Sequence, residues 1–115
     1  MANLEDGRPV AGETVVHLAS AGKQMTGVAI MLLAEEGKLA YEDPVARHVS
    51  ELASIDEGVT IRRLLQHTGA LADVYEELGE RFEAPTNDEL LAVLAERGEL
   101  EGTPGDWGVV QQRRV

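Results

Sequence analysis

The longest unbroken apolar run in the chain is Val-Ala-Ile-Met-Leu-Leu-Ala at residues 28–34. With the residues around it, this run predicts a helix over about 20–36 that is apolar on most of its circumference. Such a helix belongs in the middle of a fold rather than on its surface. Gly37 is a natural residue to stop it, and the run is too short to span a bilayer. Upstream, Thr14-Val15-Val16-His17-Leu18 is rich in β-branched residues and predicts a short extended segment. Gly7-Arg8-Pro9 reads as a turn.

Downstream the apolar positions become sparser and fall at helical spacing. Asp43 and Pro44 read as a cap and a first helical position, opening a short helix through Ala46 to about Val49. His48 falls in it as a surface residue. Asp56-Glu57-Gly58 is a turn. Thr60 caps a helix over 61–66 whose Ile61, Leu64 and Leu65 form an apolar stripe. Residues 73–85 are acidic and irregular in pattern, with Glu76, Glu77, Glu80 and Glu83 on a solvated surface. Thr86-Asn87-Asp88-Glu89 is a capping box. It starts an amphipathic helix over 89–97, with Leu90, Leu91, Val93 and Leu94 facing inward and Gly98 at its end.

Composition narrows the possibilities. A length of 115 residues allows one small domain. Aromatic residues make up only 3%, so any core is built from Leu, Val, Ile and Ala. The net charge of −11 repels phosphate backbones and anionic lipid, which opposes nucleic-acid and membrane-surface binding. With no cysteine, disulfides and thiolate metal sites are excluded. The three histidines are too dispersed for a zinc site, and there is no glycine-rich phosphate loop. The acidic N-terminus lacks the apolar core of a secretory signal, so the expected compartment, for the sequence as written, is the cytoplasm.

The candidate chemistry sits where the apolar helix begins. Ser20 and Lys23 are three residues apart, which puts a hydroxyl and an amine on one helical face about 5–6 Å apart at Cβ. A serine is a weak nucleophile until a neighbouring group takes its proton. A lysine does so once its pKa is lowered by desolvation or a nearby positive charge. The first turn of a helix, beside an apolar segment, pushes a lysine that way. The same pair has a plainer reading, with Ser20 as an N-cap and Lys23 as a solvated side chain. His17 reads as an exposed residue with no tie to Ser20.

The surroundings extend the pattern. The blocks are Ala2 to Val10, Glu13 to Ser20, Lys23-Gln24-Met25-Thr26, Leu32 to Leu39, Asp43-Pro44-Val45, Val59 to Thr68, and Pro104-Gly105-Asp106-Trp107. In this order they resemble the serine β-lactamase-like family, which includes class C β-lactamases, DD-peptidases and related esterases. The resemblance covers nearly all of the chain up to Trp107. It implies an α+β β-lactamase/transpeptidase-like fold, of which this chain is a partial domain: mainly α-helical, with a short N-terminal extended segment. It implies acyl-enzyme chemistry on an amide, lactam or ester, with Ser20 and Lys23 as the catalytic pair and the nucleophile's own N–H as half of an oxyanion hole. The partner is then a small-molecule or peptide acyl substrate, and no metal or organic cofactor is implied. Members of the family are often exported.

Two departures qualify the resemblance. Gly69 and Ala70 stand where Ser and Gly are usual in the family's His-Thr-Ser-Gly-Leu loop; His67 there reads as structural. After Trp107 the family runs into Tyr-Ser-Asn, but here Gly108-Val109-Val110-Gln111-Gln112-Arg113-Arg114-Val115 follows. One set of codons for residues 110–115, read from the second base, gives Tyr-Ser-Asn-Gly-Gly. The stretch 108–115 is therefore expected to be out of frame. Without that motif, a Lys/His-x-Gly strand or the family's sheet, activity is expected to be impaired. The apolar helix is then left exposed and prone to self-association. The competing expectation is a non-catalytic helical fragment or pseudoenzyme that works, if at all, through protein contacts.

Overall fold

A computed structural model describes residues 3–106; Trp107 and the stretch 108–115 lie outside the described residues. The chain divides into two compact units, residues 1–32 and 33–115.

The first unit opens on a turn at residues 4–7, closed by a bridge between Asn3 and Arg8. The Asn3 carboxamide oxygen accepts from the N–H groups of Glu5 (2.8 Å) and Asp6 (3.2 Å). Gly7 supplies the left-handed residue (φ +63°). Residues 14–18 lie outside any helix, bridge or turn. A 3₁₀ turn, Ala19–Gly22, leads into helix α1, Lys23–Glu35. The helix expected over about 20–36 is thus real, with its first turn wound more tightly.

Its expected burial is not. Neither the turn nor α1 contains a buried residue. Met25 is 72% exposed and Leu32 55%. The apolar circumference is present, but α1 runs across the boundary between the two units and contributes no residue to either core cluster. At its C-terminal end α1 stops as the sequence predicts. Gly37 is left-handed (φ +69°). The N–H groups of Gly37 and Lys38 donate to Ala34 and Leu33 (3.1 and 3.0 Å), the paired bonds of a Schellman motif.

In the second unit, α2 is a single turn, Val45–His48. Pro44, with ψ 138°, is its N-cap and not its first helical residue. Asp43 therefore sits one position before the cap, correcting the expected assignment. Its carboxylate instead accepts from the Ala40 N–H (2.9 Å), Arg47 (2.9 Å) and His48 Nε2 (2.8 Å). Helix α3, Ile61–Leu65, is capped by Thr60, whose hydroxyl accepts from the Arg63 N–H at 3.3 Å. Ile61 is buried and Leu64 packs on the core, but Leu65 is 39% exposed and leaves the expected stripe.

Helix α4, Tyr75–Arg81, lies in the stretch expected to be irregular. Glu76 and Glu77 in its first turn and Arg81 in its last suit the helix dipole. Val74, Leu78 and Phe82, four residues apart, make its inward stripe. Helix α5, Asn87–Arg97, has the expected capping box: the Glu89 N–H donates to Thr86 Oγ1 (3.3 Å) and the Thr86 N–H to Glu89 Oε2 (2.7 Å). Gly98, at φ +59°, ends it.

The core lies in this second unit. One cluster joins Val45, Leu52, Ile55 and Val59; the other joins Ala72, Val74, Leu78 and Val93. Leu94 of α5 packs against both. Arg81 clamps α4 to α5 through Glu96 (2.7 Å), and Glu77, one turn back in α4, also accepts from its guanidinium (2.6 Å). Among the described residues, β-pairing is limited to isolated bridges, including Pro44 with Thr60 and Leu71 with Leu100. The described residues are mainly helical and built on aliphatic side chains, as the sequence predicts.

Candidate functional site

Ser20 lies in the 3₁₀ turn and Lys23 is the first residue of α1. A 3₁₀ turn has three residues per turn, so side chains at i and i+3 eclipse. Lys23 Nζ accordingly lies 2.8 Å from Ser20 Oγ. That is within the reach required between a nucleophile and its base. As an ammonium, Lys23 donates to the hydroxyl oxygen; a neutral Lys23 would accept the hydroxyl proton across the same separation. Leu18, not Ser20, precedes the turn as its N-cap, and no side chain caps it. The plain reading of Ser20 as a helix cap therefore does not hold.

The backbone just before the serine is unusual. Ala19 has φ +48°, the left-handed region. An L-residue there costs about 1–2 kcal/mol. Strain of this kind persists only where the surroundings impose it, and it gathers at functional sites. Among the described residues, the Ser20 N–H donates to no protein acceptor.

The electrostatic setting departs from expectation. Both Ser20 and Lys23 are exposed, so the desolvating environment expected beside the apolar run is not supplied by this unit. His17 is exposed too and makes no hydrogen bond to Ser20 among the described residues. The shallow cavity of the first unit, about 600 Å³, is lined by Arg8, Glu13 and Thr14 among others, and neither Ser20 nor Lys23 lines it.

Two clusters in the second unit were not singled out by the sequence. Asp43 gathers Arg47 and His48, at i+4 and i+5. The backbone hydrogen bond from Ala40, then those from His48 and Arg47, hold its carboxyl below the usual carboxylate range. Arg63 reaches from α3 to the Gly58 carbonyl (2.7 Å) and packs where a side chain at Gly105 would stand. Arg62 pairs with Glu42 and stands 5.4 Å from the centre of the Tyr41 ring. Glu42, Arg62 and Arg63 line a second cavity of about 600 Å³, but each is already engaged, Arg62 with Glu42 and Arg63 with the Gly58 carbonyl.

The loop at 67–71 has the structural role expected of His67. His67 takes the left-handed position after α3 (φ +59°), its N–H donating to Leu64 (3.1 Å) while that of Thr68 donates to Arg63 (2.8 Å). Gly69 has no such conformation; a Cβ there would lie 2.7 Å from Leu64 Cδ2. Ala70 is left-handed instead, at φ +57°. Among the described residues, no group of three or more His, Cys, Asp or Glu could hold a metal ion, and no helix is long and apolar enough to cross a membrane.

Comparison with known proteins supplies the family. Penicillin-binding protein 4* of Bacillus subtilis is 42% identical over 72 residues, which cover 63% of this chain and 16% of that protein. Esterase EstB of Burkholderia gladioli is 37% identical over 92 residues, covering 69% of this chain and 24% of the esterase. Protein flp of Staphylococcus aureus is 32% identical over 99 residues, covering 81% of this chain and 20% of its own length. The chain thus spans between 16% and 24% of these relatives. No solved structure matches it. A family model described as Beta-lactamase matches residues 1–107, and the chain therefore belongs to the Beta-lactamase family.

Proposed function

We propose that this chain is part of a serine hydrolase domain in which Ser20 is the acylated nucleophile and Lys23 its proton acceptor. The 2.8 Å contact between Lys23 Nζ and Ser20 Oγ carries the reading. Family membership and the strained Ala19 support it. In the reaction, Ser20 Oγ attacks the carbonyl carbon of an amide, lactam or ester, and its proton passes to Lys23 Nζ. The carbonyl electrons move onto oxygen, which on this reading accepts a hydrogen bond from the Ser20 N–H. Collapse of this intermediate expels the amine or alcohol, which takes the proton from Lys23 and leaves the acyl group on Ser20. Water then attacks the ester and releases the acid. No step needs a metal or organic cofactor.

On this reading the chain is part of a longer domain: it holds the nucleophile helix and several further helices, spans 16–24% of its relatives' length, and turnover by this part alone is impaired. A second reading, a non-catalytic helical fragment, draws on one observation: both Ser20 and Lys23 stand in solvent on a segment without a core.

The test is covalent labelling with a fluorophosphonate or a β-lactam, read by intact mass on a sample whose helicity has been checked. One adduct per chain, absent in Ser20→Ala and slowed in Lys23→Ala, upholds the first reading. A folded chain that takes no adduct upholds the second. An adduct that persists in Ser20→Ala overturns the assignment of the nucleophile.

A further inference from the structure

We draw no further inference here: the strongest candidate, the cavity between α3 and the 103–106 turn lined by Arg62, Arg63, Thr68 and Gly105 among others, carries nothing, because its arginines are already engaged by Glu42 and the Gly58 carbonyl and, in a chain that spans 16–24% of its relatives, nothing in the structure shows what covers it.

Discussion

Ala70 holds a left-handed conformation (φ +57°) that glycine adopts freely and alanine does not. Both sides of the loop impose it. The Ala70 carbonyl accepts from the Glu101 N–H at 2.9 Å, Leu71 bridges to Leu100, and the carbonyl of buried Thr68 accepts from the Gly105 N–H at 2.8 Å. Replacing Ala70 by glycine relieves a steric penalty of about 1–2 kcal/mol. Glycine also makes the unfolded chain more flexible, which returns about 0.4–1 kcal/mol. Ala70→Gly should therefore stabilise the fold by about 0.5–1 kcal/mol, or roughly 2–8 °C in Tm for a unit of this size. Ala70→Val should act in the opposite sense, because a β-branched residue in this region is a severe outlier. Thermal unfolding followed by circular dichroism at 222 nm measures both. A lower Tm for Ala70→Gly, or an unchanged Tm for Ala70→Val, would show that the loop does not hold residue 70 in this conformation.

Other perturbations test other parts of the structure. Val59 is fully buried between the 56–58 turn and α3, so Val59→Ala should destabilise by about 2 kcal/mol through lost burial and a residual cavity, seen as a lower urea midpoint at constant slope. Thr86→Ala removes the capping box of α5 and should destabilise by about 1 kcal/mol; an unchanged midpoint would mean the box is not formed in solution. Asp43 has a depressed pKa in the folded state, so its contribution is present above the unfolded value near about 3.9 and is lost as pH falls through the lower folded one. The stability gap between wild type and Asp43→Asn should accordingly shrink as pH drops below about 4, and a gap that stays constant there would rule out this linkage. Hydrogen exchange should divide the chain. With no buried residue in α1, its amides should exchange faster than those of α5, and equal protection would contradict the absence of a core around α1.

How much of this was legible in the sequence differs from element to element. The capping box and Gly98 bound α5 because those signals act within a single turn and need no tertiary partner. Gly37 ended α1 for the same reason. Helix α4 was hidden because Glu76, Glu77, Glu80 and Gly79 mask a stripe of only three apolar residues. Val74, Leu78 and Phe82 read as a face only once α5 is there to cover them. Asp43 was misplaced by one residue because its carboxylate serves Ala40, Arg47 and His48 together, a choice set by how the chain folds back over residues 40–48 and not by local capping.

The candidate site divides in the same way. The three-residue spacing of Ser20 and Lys23 determined that their side chains meet, since helical geometry is local. Their surroundings were not so determined. Burial depends on which other segments arrive, and the apolar character of residues 28–34 states only that the helix seeks a cover, not that one exists. The tertiary structure decided that α1 is exposed, and that Ala70 and not Gly69 takes the left-handed turn. That conformation follows from hydrogen bonds to residues 101 and 105, some thirty positions along the chain, which no local pattern encodes.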